Sequence, residues 1–397
     1  MIHSPLWLLP GIGLLLPGAF CATMALQPVK IKNNDPLIYF HGRWDSSPGT
    51  WWAGSGFKLN VKNFESLALN LGPHTTAPLT SVGVSFDYGE FITANISQGF
   101  NAIPIPASVN KKPASETTVV RVNVEGWQNN RMNLESITLN AVHSKSFIFT
   151  TWFMDFEFRV PLSFHTFRRS SRFSSLGTLC QRVSVWRVNS FQRASTRLGR
   201  FLVGEAFKAE HVVVAQPGAA LSDIVSFGNE HGVSFQFFRT EDTGYFYTTD
   251  HNFTTPWNFA RDKPAATHVV IHIGANDAAQ NVTDAQFVQV YTGFVTRLRT
   301  IYQHQPIFVF TPWGWPNPDG TFGEYFEGQY QKIVDLRHAD GDKNVFLVNT
   351  TGWVTFADVF PENQHPNIPG HQHIADKFQA WLEDWGLKPE SHWATPA

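Results

Sequence analysis

The C-terminal half of the chain constrains the fold most. From Phe201 onward, short apolar runs alternate with segments of helical spacing. The runs are His211-Val-Val-Val214, His268-Val-Val-Ile-His-Ile273, Ile307-Phe-Val-Phe310 and Val345-Phe-Leu-Val348. After the second, Phe287, Val290, Tyr291, Phe294, Leu298 and Ile301 recur at helical spacing over residues 284–302. Thr283 and Gln286 form a capping-box pattern ahead of them. Phe326–Leu336 and Gln372–Trp385 also read as helices. Strands that alternate with helices imply an α/β domain, a parallel sheet flanked by helices, over residues 201–397. Sites in such sheets form at the carboxyl ends of strands. Gly274-Ala-Asn276-Asp277 stands at one such end.

Residues 26–142 read as β structure. Leu37–Trp44 is strand-like and ends in a turn, and Ser81–Asp87 and Val119–Val124 alternate with period two. Gly, Pro and Asn clusters separate these runs, as in a β-sandwich. Residues 143–200 fit neither pattern. No lysine occurs between Ser146 and Phe207, whereas residues 159–200 hold nine arginines. Disordered basic linkers rarely carry so many Phe, Val and Trp.

A net charge of −2 gives no reason to expect nucleic acid or a membrane surface as partner. Residues 1–25 read as a secretory signal, with Thr23 and Ala25 at the positions a signal peptidase requires. Leu6–Leu16 is too short to span a bilayer, although the leader has His3 and neither Lys nor Arg, so a membrane anchor is the competing reading. Sequons at Asn95, Asn252, Asn281 and Asn349 agree with an extracellular location. Cys21 leaves with the signal and Cys180 stands alone, which excludes a disulfide framework and cysteine metal sites. No cofactor or metal is called for.

His365 lies in Glu362-Asn-Gln-His365-Pro-Asn-Ile-Pro-Gly370, a Pro-rich loop ahead of a helix. A histidine so placed is held and partly exposed, as a general base requires.

Three blocks resemble those of SGNH (GDSL-type) hydrolases: Gln216-Pro-Gly218-Ala-Ala-Leu221-Ser-Asp223, Gly274-Ala-Asn276-Asp277 and Glu362-Asn-Gln-His365-Pro366. Gly42-Arg43-Trp44-Asp45 and Trp51-Trp52-Ala-Gly54-Ser55 resemble the leading β domain of carbohydrate esterase family 2. The resemblance implies a flavodoxin-like hydrolase domain preceded by a jelly-roll-like sandwich. It also implies oxyanion donation by the Gly218 N–H and the Asn276 amide, His365 as base, and an acetylated polysaccharide as substrate. Glu362 stands where the family has Asp. It could orient the imidazole, a backbone carbonyl could do so, or Glu362 is a solvated loop carboxylate. Trp313 and Trp315 either stack on a sugar or serve as packing.

The family's nucleophile block, Gly-Asp-Ser, is absent. By order it belongs between the β domain and Phe201. The codons of Leu176-Gly-Thr-Leu-Cys-Gln-Arg-Val183, read one base pair out of frame, permit Gly-Asp-Ser-x-Ser-Ala-Gly. The expectation is that residues of about 142–200 are mistranslated from a retained intron and an out-of-frame exon. The chain as written would then lack the nucleophile and the first strand and helix of the sheet. A natural insertion is the alternative, with Ser174, Ser175 and Ser184 as substitutes that lack a strand–turn–helix setting. Three functions follow: a secreted acetyl esterase, a carbohydrate-binding protein without chemistry, and a general GDSL esterase or lipase.

Overall fold

The computed structural model describes residues 28–109, 116–125, 130–140, 199–240, 255–360 and 365–393, together with the backbone of 182–187. The leader at 1–25, most of 143–200 and Glu362 lie outside the described residues.

Ten strands make up the N-terminal part: β1 (Val29–Lys32), β2 (Tyr39–His41), β3 (Gly49–Thr50), β4 (Gly56–Lys62), β5 (Leu67–Leu71), β6 (Thr80–Phe86), β7 (Ile92–Ile96), β8 (Gly99–Ile103), β9 (Thr117–Val124) and β10 (Met132–Leu139). They form two antiparallel sheets, β1-β10-β5-β8 with β3 on β10, and β2-β4-β9-β6-β7. One core fills the space between them, with Leu69, Leu134 and Ile137 from the first sheet and Phe57, Val84 and Val122 from the second. Period-two alternation ordinarily leaves the polar face of a sheet to water. Here Lys58, Asn60, Arg121 and Asn123, on the outer face of β4 and β9, are all buried. That face packs against the rest of the protein.

The C-terminal part runs β11 (Arg182–Arg187), α1 (Gly199–Ala206), β12 (Glu210–Ala215), α2 (Val233–Gln236), β13 (His268–His272), α3 (Ala275–Ala279), α4 (Asp284–Arg299), β14 (Ile307–Phe310), β15 (Trp315–Pro316), β16 (Phe322–Gly323), α5 (Gln329–Ala339), β17 (Val345–Val348) and α6 (Ile368–Trp385). Its five-stranded sheet is parallel, in the order β12-β11-β13-β14-β17. Counted along this domain, that is the flavodoxin-like order 2-1-3-4-5, whose switch point lies between the first and third strands, β11 and β13. One face, with Val269, Ile271 and Val309, packs on Phe287, Tyr291 and Phe294 of α4 and Ile333 of α5. The other, with Val270, Phe308 and Phe310, packs on Val203 of α1 and on Phe378 and Leu382 of α6. Each fully buried Phe or Leu contributes about 1.5–3 kcal/mol. The expected capping box at α4 is present, with Thr283 and Gln286 bonding reciprocally.

The expectation of a missing first strand and helix is corrected. Arg182–Arg187 pairs in parallel with both β12 and β13, and α1 follows it. Val183, Val185 and Trp186 give this short stretch strand propensity despite its basic surroundings. The helix expected at Phe326–Leu336 begins later, at Gln329, because Phe326 and Gly328 both adopt positive φ.

Buried ion pairs join the two parts. Lys58 meets Glu210 at 2.5 Å, Arg121 meets Glu205 at 2.7 Å and Arg43 meets Asp262 at 3.4 Å. Burial pushes Glu210 upward, but the Lys58 ammonium outweighs it and holds the carboxyl down to about 2, while burial pushes Lys58 itself below its usual value against the pull of Glu210. Trp52 sits in the α/β core and donates its indole N–H to the Thr240 carbonyl at 3.0 Å. At Gly54 (φ +82°) a Cβ would lie 2.9 Å from Cβ of Val213 in β12, so only glycine permits this approach.

Candidate active site

The segments that follow β12, β13, β14 and β17 all emerge at the carboxyl end of the sheet, and the blocks singled out in the sequence lie on them. β11 ends between two of them: Arg187 pairs with Ala215 on one side and His272 on the other. Gln216-Pro-Gly218 continues from the first neighbour and Gly274-Ala-Asn276 from the second.

The Gly218 and Asn276 blocks are bonded together. Asn276, buried in α3, donates from Nδ2 to the Ala219 carbonyl at 2.8 Å. An amide nitrogen carries two protons, so this bond uses one of them. Asp277, fully buried, accepts the Leu221 N–H at 2.7 Å and the Ser222 N–H at 2.9 Å. Burial pushes the Asp277 carboxyl above its usual value, against the pull of those two donors.

Glycine is required at two points. Gly218 has φ +82°, and a Cβ there would lie 2.8 Å from Cβ of Phe227. Its carbonyl accepts from Ser226 Oγ at 2.7 Å, and the Pro217 carbonyl accepts from Asn229 Nδ2 at 2.9 Å, which fixes the turn. Gly274 has φ +130°, and a Cβ would lie 2.1 Å from the Tyr330 hydroxyl. That hydroxyl donates to the Ile273 carbonyl at 2.7 Å.

His365 is half-buried ahead of α6. The loop that carries it is anchored two residues on. Asn367 donates its backbone N–H to the Asp358 carbonyl at 2.7 Å and its Nδ2 to the Ala357 carbonyl at 3.1 Å. Its side-chain oxygen caps α6 at the Gly370 N–H, 2.8 Å away. The Asp358 carboxylate accepts from the Thr355 N–H and hydroxyl, each at 2.8 Å, and meets His373 Nδ1 at 3.0 Å. Burial pushes Asp358 upward, but those donors outweigh it and hold the carboxyl below its usual value. Asp358, Asp277 and Tyr330 were not assigned roles from the sequence. Thr355-Phe-Ala-Asp358 carries a capping signature that could have marked the first.

Trp313 lies against His272, at the end of β13, with ring centroids 3.9 Å apart. Trp315 packs edge-on against Phe360 at 5.6 Å. Both are half-buried and so have packing partners as well as exposed surface.

Residues 240–373 match the model of the GDSL-like Lipase/Acylhydrolase family, a span that includes Asn276 and His365 but not Gly218. No curated protein sequence matches the chain. Solved structures resemble it over most of its length. An acetyl xylan esterase from the rumen bacterium Butyrivibrio proteoclasticus has a TM-score of 0.64 at 13% identity, covering 91% of this chain and 98% of that one. A family two carbohydrate esterase from Cellvibrio japonicus gives 0.62 at 14%, with 90% and 98% covered. One from Clostridium thermocellum, in complex with cellohexaose, gives 0.60 at 16%, with 88% and 98% covered. The fold is that of an SGNH hydrolase and resembles the family two carbohydrate esterases.

Proposed function

We propose that the protein is a secreted carbohydrate esterase that removes acetyl groups from plant cell-wall polysaccharide by a serine–histidine mechanism. In this reading the catalytic serine is missing from the chain as written. One observation carries the proposal: Asn276 and Asp277 are bonded to the segment that follows Gly218, on either side of the strand that ends at the sheet's switch point.

In the in-frame product, a serine hydroxyl supplied by the restored Gly-Asp-Ser block attacks the acetyl carbonyl carbon while His365 takes its proton. The carbonyl oxygen becomes an oxyanion, to which the Gly218 N–H and Asn276 Nδ2 donate. Collapse of this intermediate breaks the ester bond, and the proton on His365 passes to the departing sugar hydroxyl. Water, activated by the same imidazole, then releases acetate and restores the serine. Glu362 or a backbone carbonyl orients the imidazole. Trp313 and Trp315 border the substrate.

The absent Gly-Asp-Ser is assigned to a frame error over residues of about 142–200. A spliced transcript with Gly-Asp-Ser in frame, and acetate release from acetylated xylan by its product, would support this reading. A transcript that encodes the segment as written, with glycan binding and no acetate release, would favour the second reading, a non-catalytic carbohydrate-binding protein. The missing nucleophile block is the observation that favours it.

A further inference from the structure

The protein has a concavity whose lining differs from the segments of the candidate active site. A cleft of about 520 Å³ lies between the turn that joins β1 to β2, the loop after β2, and the segment that leads into β13. Such a volume suits a small ligand. Gly274 and Asn276 follow β13, whereas this wall precedes it. The lining of the cleft includes no residue of the Gly218, Gly274–Asp277 or His365 segments.

The chemistry of the cleft is specific. Phe40 offers a half-buried ring, braced edge-on by Trp44 at 4.8 Å and Phe57 at 6.2 Å. Planar polar side chains surround it. Asn34 is exposed, with no hydrogen-bond partner among the described residues. Asn33 donates from Nδ2 to the Leu134 carbonyl at 2.8 Å, and its side-chain oxygen is not used in that bond. Asn258 spends its oxygen on the Ala260 N–H, which leaves its two amide protons. Arg261 uses one terminal nitrogen on the Trp44 carbonyl at 3.1 Å. Asp35, which accepts the Leu37 N–H at 2.9 Å, also lines the cleft, and Asp45 is committed to Arg131. An aromatic face with amide and carboxylate forks, and no dominant charge, suits a ring of C–H groups bearing neighbouring hydroxyls.

The walls are preformed. The guanidinium of Arg43 lies over Trp257 at 4.5 Å and Phe259 at 5.1 Å while pairing with Asp262. Together with the Trp52–Thr240 bond this fixes the sandwich wall against the α/β wall. Little ordering is then left for a ligand to impose.

We propose that this cleft binds a neutral oligosaccharide, as a site separate from the candidate active site and independent of any nucleophile. It would hold the polysaccharide while the candidate active site acts on it.

The test is calorimetric titration of the full chain with cellohexaose and with xylohexaose. Asn34→Trp fills the cleft from an exposed turn, and Asn258→Ala removes one fork. Binding of at least one hexaose is expected, weakened at least about tenfold by Asn34→Trp and about threefold by Asn258→Ala. No binding of either hexaose overturns the proposal, as does binding that both cleft variants leave untouched. If Asn34→Trp melts below the wild type, Asn258→Ala decides. Acetate release from the in-frame product is read separately, so the esterase reading can fail without affecting this outcome.

Discussion

Asp277 accepts the Leu221 N–H at 2.7 Å, a bond between residues 56 positions apart that ties the third block to the second. With the Ser222 bond it leaves two buried donors dependent on one carboxylate. Asp277→Ala should therefore cost about 2–4 kcal/mol, since each unsatisfied buried group costs about 1–3. Asp277→Asn keeps one acceptor and should cost less. Urea midpoints of the two variants check this ordering.

At Gly274 the obstruction is the Tyr330 hydroxyl, 2.1 Å from where a Cβ would stand. Gly274→Ala should destabilise by about 2 kcal/mol or more, from overpacking and from the positive φ. Gly274→Ala with Tyr330→Phe removes the clashing oxygen and should recover part of the loss. Equal melting temperatures for the single and double variants would refute the steric account.

In the in-frame product, Asn276→Ala should lower kcat for an acetyl ester about 10²–10³-fold with little change in KM. His365→Ala should bring hydrolysis close to that of the chain as written, because nucleophile and base act as a unit. Stopped-flow measurement of acetate release distinguishes these outcomes.

The interface pair Lys58–Glu210 supplies a thermodynamic test. Lys58→Met strands a buried carboxylate and should cost about 3–5 kcal/mol, whereas Lys58→Met with Glu210→Leu should recover most of it. Chemical denaturation of the single and double variants completes the cycle.

Burial holds His268 down to about 4. An unfolded histidine titrates near 6.5, so the fold favours the neutral ring. The resulting stability is full above the unfolded value and is lost as pH falls from about 6.5 through 4. This share amounts to at most about 3 kcal/mol. His268→Phe should flatten the decline in melting temperature between about pH 7 and pH 4, and an unchanged slope would place the acid sensitivity elsewhere.

Much of the α/β domain was legible in the sequence. The runs at Ile307–Phe310 and Val345–Val348 coincide with β14 and β17, because strands covered on both faces need unbroken apolar residues. Thr283 and Gln286 marked the start of α4 because a cap is a local device. The strand at Arg182–Arg187 was missed, since its signal is short and its surroundings are basic and irregular. Within the site, Gly218, Asn276 and His365 were visible as motifs. The role of Tyr330 was not, because it meets Gly274 only through tertiary packing. The polar face of β4 and β9 reads as solvent-facing until the partner domain is present to cover it.

The position of β11 has a wider consequence. An interior strand of a parallel sheet is gripped through its main chain from both sides, and that grip is blind to the residue that comes next. The architecture can therefore persist after its reactive group is gone. On the proposed reading, a lineage, or an error of expression, can silence such a molecule without dismantling it, and a copy that folds and keeps the proposed glycan binding would compete with working counterparts for the same surface.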